Sequence, residues 1–290
     1  MSVTSEARIE PDSVSPIFIV GFPRSGTTLL ASVLSRHSEL VIPPETHFIC
    51  HLKASRRATK SMNHEQLVDL ALSNKRLTDL DIHRDRLLER FARGPTTPSR
   101  LFLLILRMYC DRYGGSRIGE KTPGHIRHIR KILDWYPSAR VVCIVRDGRD
   151  AVQSLKRVGW NHNLILLNSM AWAREVRMAR YWRQREPDRF LIIYFEDLLR
   201  SPESEIRRVC CFGGLSFEPQ MLAPDNEATG GVVPEWEREW KAKARAPVDL
   251  SRIQAWKRSA DQERVWRMNF VMGRELRRMA YDATELQGCG

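Results

Sequence analysis

Short apolar runs alternate with helical patterns along most of the chain. β-Branched and aromatic residues bounded by turn residues predict strands at 17–20, 140–145 and 190–195, and a short strand that ends at a proline is predicted at 118–122. Apolar residues at helical spacing predict helices that begin near 27, 124, 149, 164, 203 and 261. Strands that alternate with helices favour a mostly parallel central sheet with helices on both faces. The predicted fold class is α/β, a P-loop-like three-layer fold.

The remaining segments set the expected domain organisation. Residues 63–113 alternate apolar and charged positions, with breaks at Gly94-Pro95 and Pro98, which predicts two or three helices within a helical insertion at about 50–113. The segment 218–250 is rich in proline, glycine and charge, and it is a flap or a solvated linker. Residues 1–15 lack an apolar core and are predicted to be a flexible tail rather than a signal peptide. The rest, 16–290, is predicted to be one domain.

Composition narrows the class of protein only in part. The 290 residues are 42% hydrophobic, enough for a large core, and the net charge is +12. That charge suits anionic ligands, but the basic residues are dispersed and form no recognised nucleic-acid module, so no nucleic-acid partner is expected. The six cysteines lack metal-ligand spacing and no apolar run is long enough to span a bilayer. A reduced, cytoplasmic, metal-independent protein is expected.

The first strand leads into the outline of a phosphate-binding loop. Gly21-x-x-x-x-Gly26-Thr27-Thr28 opens a helix, and such a turn aims backbone N–H groups and a helix N-terminus at one point. Nucleotide triphosphatases require lysine where Thr27 stands, whereas the cation here is Arg24, earlier in the loop. The expected ligand is an anion bound without metal, because the strand that ends at Val145 is followed by Arg146 and not by an acidic residue that could hold Mg²⁺.

Two further strand ends carry candidate chemistry. Arg146 follows the strand at 140–145, and Ser154 comes eight positions later, so both can meet one phosphate if the chain turns between them. Pro43-Pro44 forbids helix and leaves Glu45 on a constrained loop end.

Three motifs resemble the sulfotransferases over roughly residues 16–215. They are Pro-Arg-Ser-Gly-Thr-Thr at 23–28, the Arg146 and Ser154 pair, and Phe195-Glu196-Asp197-Leu198. The resemblance implies transfer of a sulfonyl group from 3′-phosphoadenosine 5′-phosphosulfate (PAPS) to an acceptor hydroxyl by in-line displacement, with 3′-phosphoadenosine 5′-phosphate (PAP) as product. It further implies that the 5′-phosphosulfate is held by Arg24, Ser25, Gly26, Thr27 and Thr28, and the 3′-phosphate by Arg146 and Ser154.

The resemblance also implies the catalytic groups. Glu45-Thr46 matches the Glu-Thr pair that supplies the base in tyrosylprotein sulfotransferases and similar bacterial enzymes, and Lys121 matches a lysine that neutralises the sulfonate. Two positions depart from the family pattern. Phe195 stands where tyrosine contacts adenine, so Tyr194 is the candidate contact. Trp256 and Lys257 are the candidate C-terminal cofactor contacts, although Lys257 follows the tryptophan and the family has its basic residue before it.

Several alternatives remain open from the sequence. His47 can serve as base instead of Glu45, since histidine titrates near neutral pH. A nucleotide-dependent kinase and a non-catalytic nucleotide- or nucleic-acid-binding module are the competing functions. The acceptor is expected to be a small-molecule, glycan or lipid hydroxyl, bound between 48–116 and 218–250, and the sequence predicts no oligomeric state.

Overall fold

Five parallel strands form the centre of the protein. The computed structural model describes residues 15–53, 61–155, 164–223, 249–259 and 261–281. All four strand pairings are parallel, and the strand order is β2-β3-β1-β4-β5. The strands are β1 (Ile17–Val20), β2 (Leu40–Val41), β3 (Arg117–Lys121), β4 (Arg140–Val145) and β5 (Phe190–Tyr194).

Helices cover both faces of this sheet. The bounds are α1 (Thr27–Leu34), α2 (Phe48–Lys53), α3 (His64–Leu72), α4 (Lys75–Thr78), α5 (Arg84–Ala92), α6 (Pro98–Arg112), α7 (Ile129–Trp135), α8 (Gly148–Leu155), α9 (Ile165–Arg185), α10 (Phe195–Arg200), α11 (Pro202–Gly213), α12 (Trp256–Ser259) and α13 (Gln262–Arg278). Short 3₁₀ helices occupy Pro123–His128, Pro219–Leu222 and Leu250–Arg252.

Alternate residues of each central strand face two separate cores. In β1, Phe18 and Val20 join the larger core, which also takes apolar side chains of α2, α3, α5 to α9 and α13. Ile17 and Ile19 join the smaller core with α1, α10 and α11. Because a strand that is buried on both faces needs no polar side, these strands read as continuous apolar runs in the sequence. The predicted three-layer α/β class is confirmed.

The structure corrects several predicted boundaries. Four helices, α3 to α6, occupy residues 63–113 instead of two or three, since α4 is a single turn too short for a periodic signal. The two-residue strand β2 escaped prediction for the same reason. Phe195 begins α10 instead of ending β5, and the helix predicted from 124 begins as a 3₁₀ helix.

The parallel arrangement brings all the strand carboxyl ends to one edge of the sheet. The chain passes from β1 to β2 and β3 on one side and then to β4 and β5 on the other, so the order reverses between β1 and β4. Open α/β sheets bind ligands at such a point. The predicted tail falls almost wholly, and the predicted flap largely, outside the described residues. None of the described helices combines the length and apolar character that crossing a membrane requires.

Candidate active site

The loop after β1 has the backbone of a tight anion cradle. Gly26 has φ of 102°, and a Cβ there would collide with the ring of Phe195, so only glycine fits. Arg24 also has a left-handed backbone, with φ of 70°. The helix α1 then begins at Thr27, and its N-terminus lies at this loop. The local sequence therefore builds a site where N–H groups and a helix dipole favour negative charge.

The structure brings Arg24, Ser154 and Arg146 together. The Arg24 Nε donates to the Ser154 Oγ at 3.0 Å, and an Arg146 Nη donates to the Arg24 carbonyl at 3.3 Å. The second Arg146 Nη donates to the Arg252 carbonyl at 2.7 Å. The turn at 147–148 thus places Arg146 and Ser154 as their spacing predicts, and Arg24 joins the same group.

Two buried donors at this site have no hydrogen-bond partner among the described residues. The Ser25 Oγ and the Arg146 Nε are buried and have no hydrogen bond to any part of the chain that the structure describes. An unsatisfied buried donor costs free energy unless a ligand accepts from it. The residues present therefore fit a phosphate or phosphosulfate group, whose oxygens are acceptors. Thr27 is buried beside them and Thr28 is half-buried.

A partly buried ion pair joins the end of β3 to the loop that follows β2. The Lys121 Nζ contacts a Glu45 carboxylate oxygen at 2.5 Å, and the His47 Nε2 lies 3.0 Å from the other oxygen. Burial raises the pKa of Glu45, but the charge of Lys121 and the contact with His47 outweigh it and hold that pKa at about 2. Contacts with Cys50 and Glu45 raise the pKa of His47 to about 9. At neutral pH His47 therefore holds a proton instead of accepting one.

The Glu120 carboxylate bonds to the residues that follow Glu45 and Lys121 in the sequence. One Glu120 oxygen accepts from the hydroxyls of Thr46 at 2.8 Å and Thr122 at 2.6 Å, and the other lies 2.9 Å from the His125 Nδ1. Glu120 and His125 are both fully buried. Thr46 follows Glu45 and Thr122 follows Lys121, so these bonds to Glu120 hold Glu45 and Lys121 in place relative to each other.

The aromatic residues at the end of β5 point in opposite directions. The Phe195 ring packs against Gly26, and the Arg146 guanidinium stacks over it at 4.5 Å. The Tyr194 ring instead meets Tyr281, with ring centroids 6.0 Å apart, on the side of the larger core. The structure therefore brings Phe195 to the phosphate loop and does not bring Tyr194 there.

Residues 249–259 close one side of the site. The backbone N–H of Trp256 donates to Asp150 at 2.7 Å, and the buried Trp256 ring stacks on the Arg149 guanidinium at 4.0 Å. Lys257 is exposed, with its Nζ 5.5 Å from the Trp256 ring. Trp256 therefore anchors this segment to α8, and the carbonyl of Arg252 is the part of it that touches Arg146.

Sequence reasoning missed the buried charged residues that organise the site, namely Glu120, His125, Asp147, Arg149, Asp150 and Glu196. Burial of Asp150 raises its pKa to about 6, because the charge of its partner Arg146 only partly offsets the desolvation. One signal was available: Glu120 lies within a predicted strand of a sheet with helices on both faces, where a buried carboxylate requires a partner.

Comparison with known proteins identifies the family of this chain. A model of the sulfotransferase family matches residues 16–219. The chain is 23% identical to protein-tyrosine sulfotransferase A of Caenorhabditis elegans over 275 residues, covering 92% of this chain and 67% of that protein. It is 26% identical to protein-tyrosine sulfotransferase 2 of Gallus gallus over 213 residues, covering 71% of this chain and 53% of that protein.

A solved structure shares the fold. The sulfotransferase domain of the Synechococcus PCC 7002 olefin synthase superposes with a TM-score of 0.62 at 20% identity, covering 95% of this chain and 98% of that one. The fold and the site thus define an α/β enzyme whose phosphate loop carries arginine in place of the triphosphatase lysine. The chain belongs to the sulfotransferase family, and the predicted enzyme class, a PAPS-dependent sulfotransferase, is confirmed.

Proposed function

We propose that Glu45 is the general base and that Arg24 and Lys121 stabilise charge during transfer of a sulfonyl group to an acceptor hydroxyl. The observation that carries this proposal is the contact of Glu45 with Lys121 at the strand edge that also holds the phosphate loop. PAPS, when bound, supplies the sulfonyl group. Ser25, Gly26, Thr27 and Thr28 hold its 5′ end, and Arg146 with Ser154 holds the 3′-phosphate.

The pKa of Glu45 decides whether this residue can act as a base, and we expect that pKa to differ between the free and the loaded enzyme. At about 2 it makes a poor base, because a base works best when its pKa is close to the operating pH. Lys121 is the largest influence that lowers it, while burial raises it. When Lys121 shares its charge with a bound sulfonate, burial dominates and the pKa of Glu45 rises. Glu45 then accepts the proton of the acceptor hydroxyl only in the loaded enzyme. Lys121 stabilises the charge that develops during sulfonyl transfer, which is usually the largest contribution to catalysis.

The names of the relatives support a hydroxyl acceptor, since they assign protein tyrosine and carbohydrate to those proteins and both offer hydroxyl groups. We infer that this chain acts on a hydroxyl. The small-molecule, glycan or lipid acceptor expected from the sequence stays a prediction, and protein tyrosine joins it as a candidate. The kinase alternative has no support from the loop, which lacks the lysine that such chemistry needs.

Nucleotide binding is tested by thermal unfolding with ligands. PAP is expected to raise the melting temperature, because a ligand that binds only the folded state stabilises it, while ATP with Mg²⁺ and an oligonucleotide leave it unchanged. Stabilisation by ATP with Mg²⁺ alone would contradict the assigned donor.

The base assignment is tested with Glu45→Gln. Turnover is expected to fall by about 10²–10⁴-fold, the usual contribution of proton transfer, while PAP affinity is unchanged. Turnover is measured as PAP release from PAPS with an acceptor found by mass spectrometry of a metabolite panel. Glu39→Gln, at an exposed position, is the matched control. Equal loss of PAP affinity and turnover in Glu45→Gln would exclude the assignment.

A further inference from the structure

A second group of titratable side chains surrounds Cys50, one helical turn beyond the proposed base. The N–H of His51 donates to the carbonyl of His47 at 2.9 Å, so His47 directly precedes the first turn of α2, which carries Cys50. Residues three apart in a helix lie on the same side of it. His47 and Cys50 therefore face the same way.

The facing element adds two more histidines. In the 3₁₀ helix Pro123–His128, residues three apart are aligned, so His125 and His128 lie on one side. A Cβ placed on Gly124 would be 3.8 Å from the Cys50 Sγ, which places the sulfur against the start of this helix. Histidines from two packed elements thus approach one thiol.

His125 directs an unpaired nitrogen into this group. Its Nδ1 bonds to Glu120, while its fully buried Nε2 has no hydrogen-bond partner of ordinary geometry among the described residues. The Cys50 sulfur interacts with the ring of His125. A buried N–H without a partner favours an anion beside it, and a thiolate is the anion that Cys50 provides.

The surrounding charges agree with this geometry. Burial raises the pKa of Cys50, but His125, His128 and His47 outweigh it and lower the pKa to about 4. The pKa of His125 is raised to about 9 by Glu120 and Cys50, against the effect of its burial. Glu175 of α9 also faces the Cys50 sulfur. The Arg127 Nε lies 3.1 Å from the Glu175 carboxylate and pairs with it.

We propose that Cys50 is a modification site, a thiolate held between three histidines that reacts with hydrogen peroxide and with soft electrophiles at neutral and mildly acidic pH. The thiolate sulfur attacks one peroxide oxygen, an S–O bond forms as the O–O bond breaks, and the departing hydroxide takes up a proton to give water. Sulfur is oxidised by two electrons to sulfenic acid and peroxide is reduced. A small thiol then condenses with the sulfenic acid to a mixed disulfide, with loss of water.

The other described cysteines differ from Cys50 in ways that supply a control. Cys110, Cys143 and Cys210 are buried, and burial raises the pKa of each thiol. Cys211 is exposed. An ordinary exposed cysteine reacts in proportion to its thiolate, so its rate falls about tenfold per pH unit below a pKa of about 8.5.

The test measures iodoacetamide labelling of each cysteine in the full chain by peptide mass spectrometry across a pH series. The rate at Cys50 is expected to change by less than about twofold between pH 6 and pH 8, whereas the rate at Cys211 falls steeply. Dimedone added with hydrogen peroxide at pH 6 is expected to trap a sulfenic acid at Cys50. A labelling profile at Cys50 parallel to that at Cys211 would overturn the proposal.

Two variants test the role of the histidines. His128→Gln, at a half-buried position, and His125→Gln are each expected to raise the pH midpoint of Cys50 labelling, while Cys211 is unaffected. Circular dichroism verifies folding, and His128→Gln remains informative if the buried His125→Gln fails to fold. An unchanged midpoint in folded variants would overturn the proposal. The test uses neither PAPS nor an acceptor, so its outcome is separate from that of the proposed sulfonyl transfer.

Discussion

Arg24 and His47 both have a left-handed backbone conformation, with φ of 70° and 48°, which residues other than glycine rarely adopt. Such residues cost about 1–3 kcal/mol each and persist where the surrounding structure holds them. Both occur in loops at the carboxyl edge of the sheet, and each directs its side chain to another site residue, Ser154 or Glu45. The strain thus falls on Arg24, which the proposed chemistry uses, and on His47, which contacts the proposed base.

The Glu45 and Lys121 pair also makes a prediction about pH. Because the folded pKa of about 2 lies below the ordinary 4.5, the pair stabilises the fold above pH 4.5, and that stability is lost as pH falls through about 2. Lys121→Met removes the main influence that lowers the pKa and leaves burial in place. The pKa of Glu45 is then expected to rise by roughly 1–3 units.

The measurement is the carboxyl ¹³C shift of Glu45 against pH, assigned by its disappearance in Glu45→Gln. Lys131→Met, which removes a lysine that lies over the Trp135 ring at 5.0 Å, is the control and is expected to leave the titration unchanged. An unshifted Glu45 in Lys121→Met would show that Lys121 does not control the proposed base.

At the scale of elements, the end of β3 and the loop after β2 act as one unit through Glu120. Glu120→Gln removes the charge that faces His125 inside the core, and breaking a buried pair in this way costs about 3–5 kcal/mol of unfolding free energy. Urea unfolding measures the loss. Glu89→Gln, at an exposed pair with Arg93, is the matched control and is expected to change stability by less than about 0.5 kcal/mol.

The same pair has a defined pH window. The pKa of Glu120 is lowered by His125 despite burial, and that of His125 is raised from 6.5 to about 9. The stabilisation is therefore complete between about pH 4.5 and 6.5 and is lost as pH rises through 9. A stability difference between wild type and Glu120→Gln that stayed constant as pH rises from 6.5 to above 9 would contradict the assignment of the ion pair.

At the scale of the whole molecule, residues 249–259 are far from α8 in sequence and dock on it through a few polar contacts. Asp150 accepts from the N–H of Trp256, and Arg146 donates to the carbonyl of Arg252. Asp150→Ala is expected to release this segment, because the buried Trp256 N–H loses its acceptor. Hydrogen exchange at 250–259 should accelerate and PAP affinity should fall, since Arg146 loses the side chain opposite it.

Asp197→Ala, which removes a half-exposed carboxylate on α10, is the control and is expected to leave both measurements unchanged. Unaltered exchange at 250–259 in Asp150→Ala would show that the segment is held by the Trp256 ring on Arg149 instead. The two contacts are therefore separable by experiment.

The sequence by itself determined four of the five strands, their parallel direction and the phosphate loop. Those features follow from local patterns: apolar runs for β1, β4 and β5, and the glycines and Arg24 for the loop. The position of Arg146 at a strand end and its spacing from Ser154 were local as well. Short elements such as β2 and α4 escaped because they carry too few residues for a periodic signal.

Only the tertiary structure decided which side chains meet. The pairing of Glu45 with Lys121, the burial of Glu120 against His125, the choice of Phe195 over Tyr194 at the loop and the histidines around Cys50 all join residues from different elements. Burial and charge at such meetings shift each pKa, and the sequence carries no periodic signal for them. The chemistry of this site therefore depends on contacts that appear only when the sheet assembles.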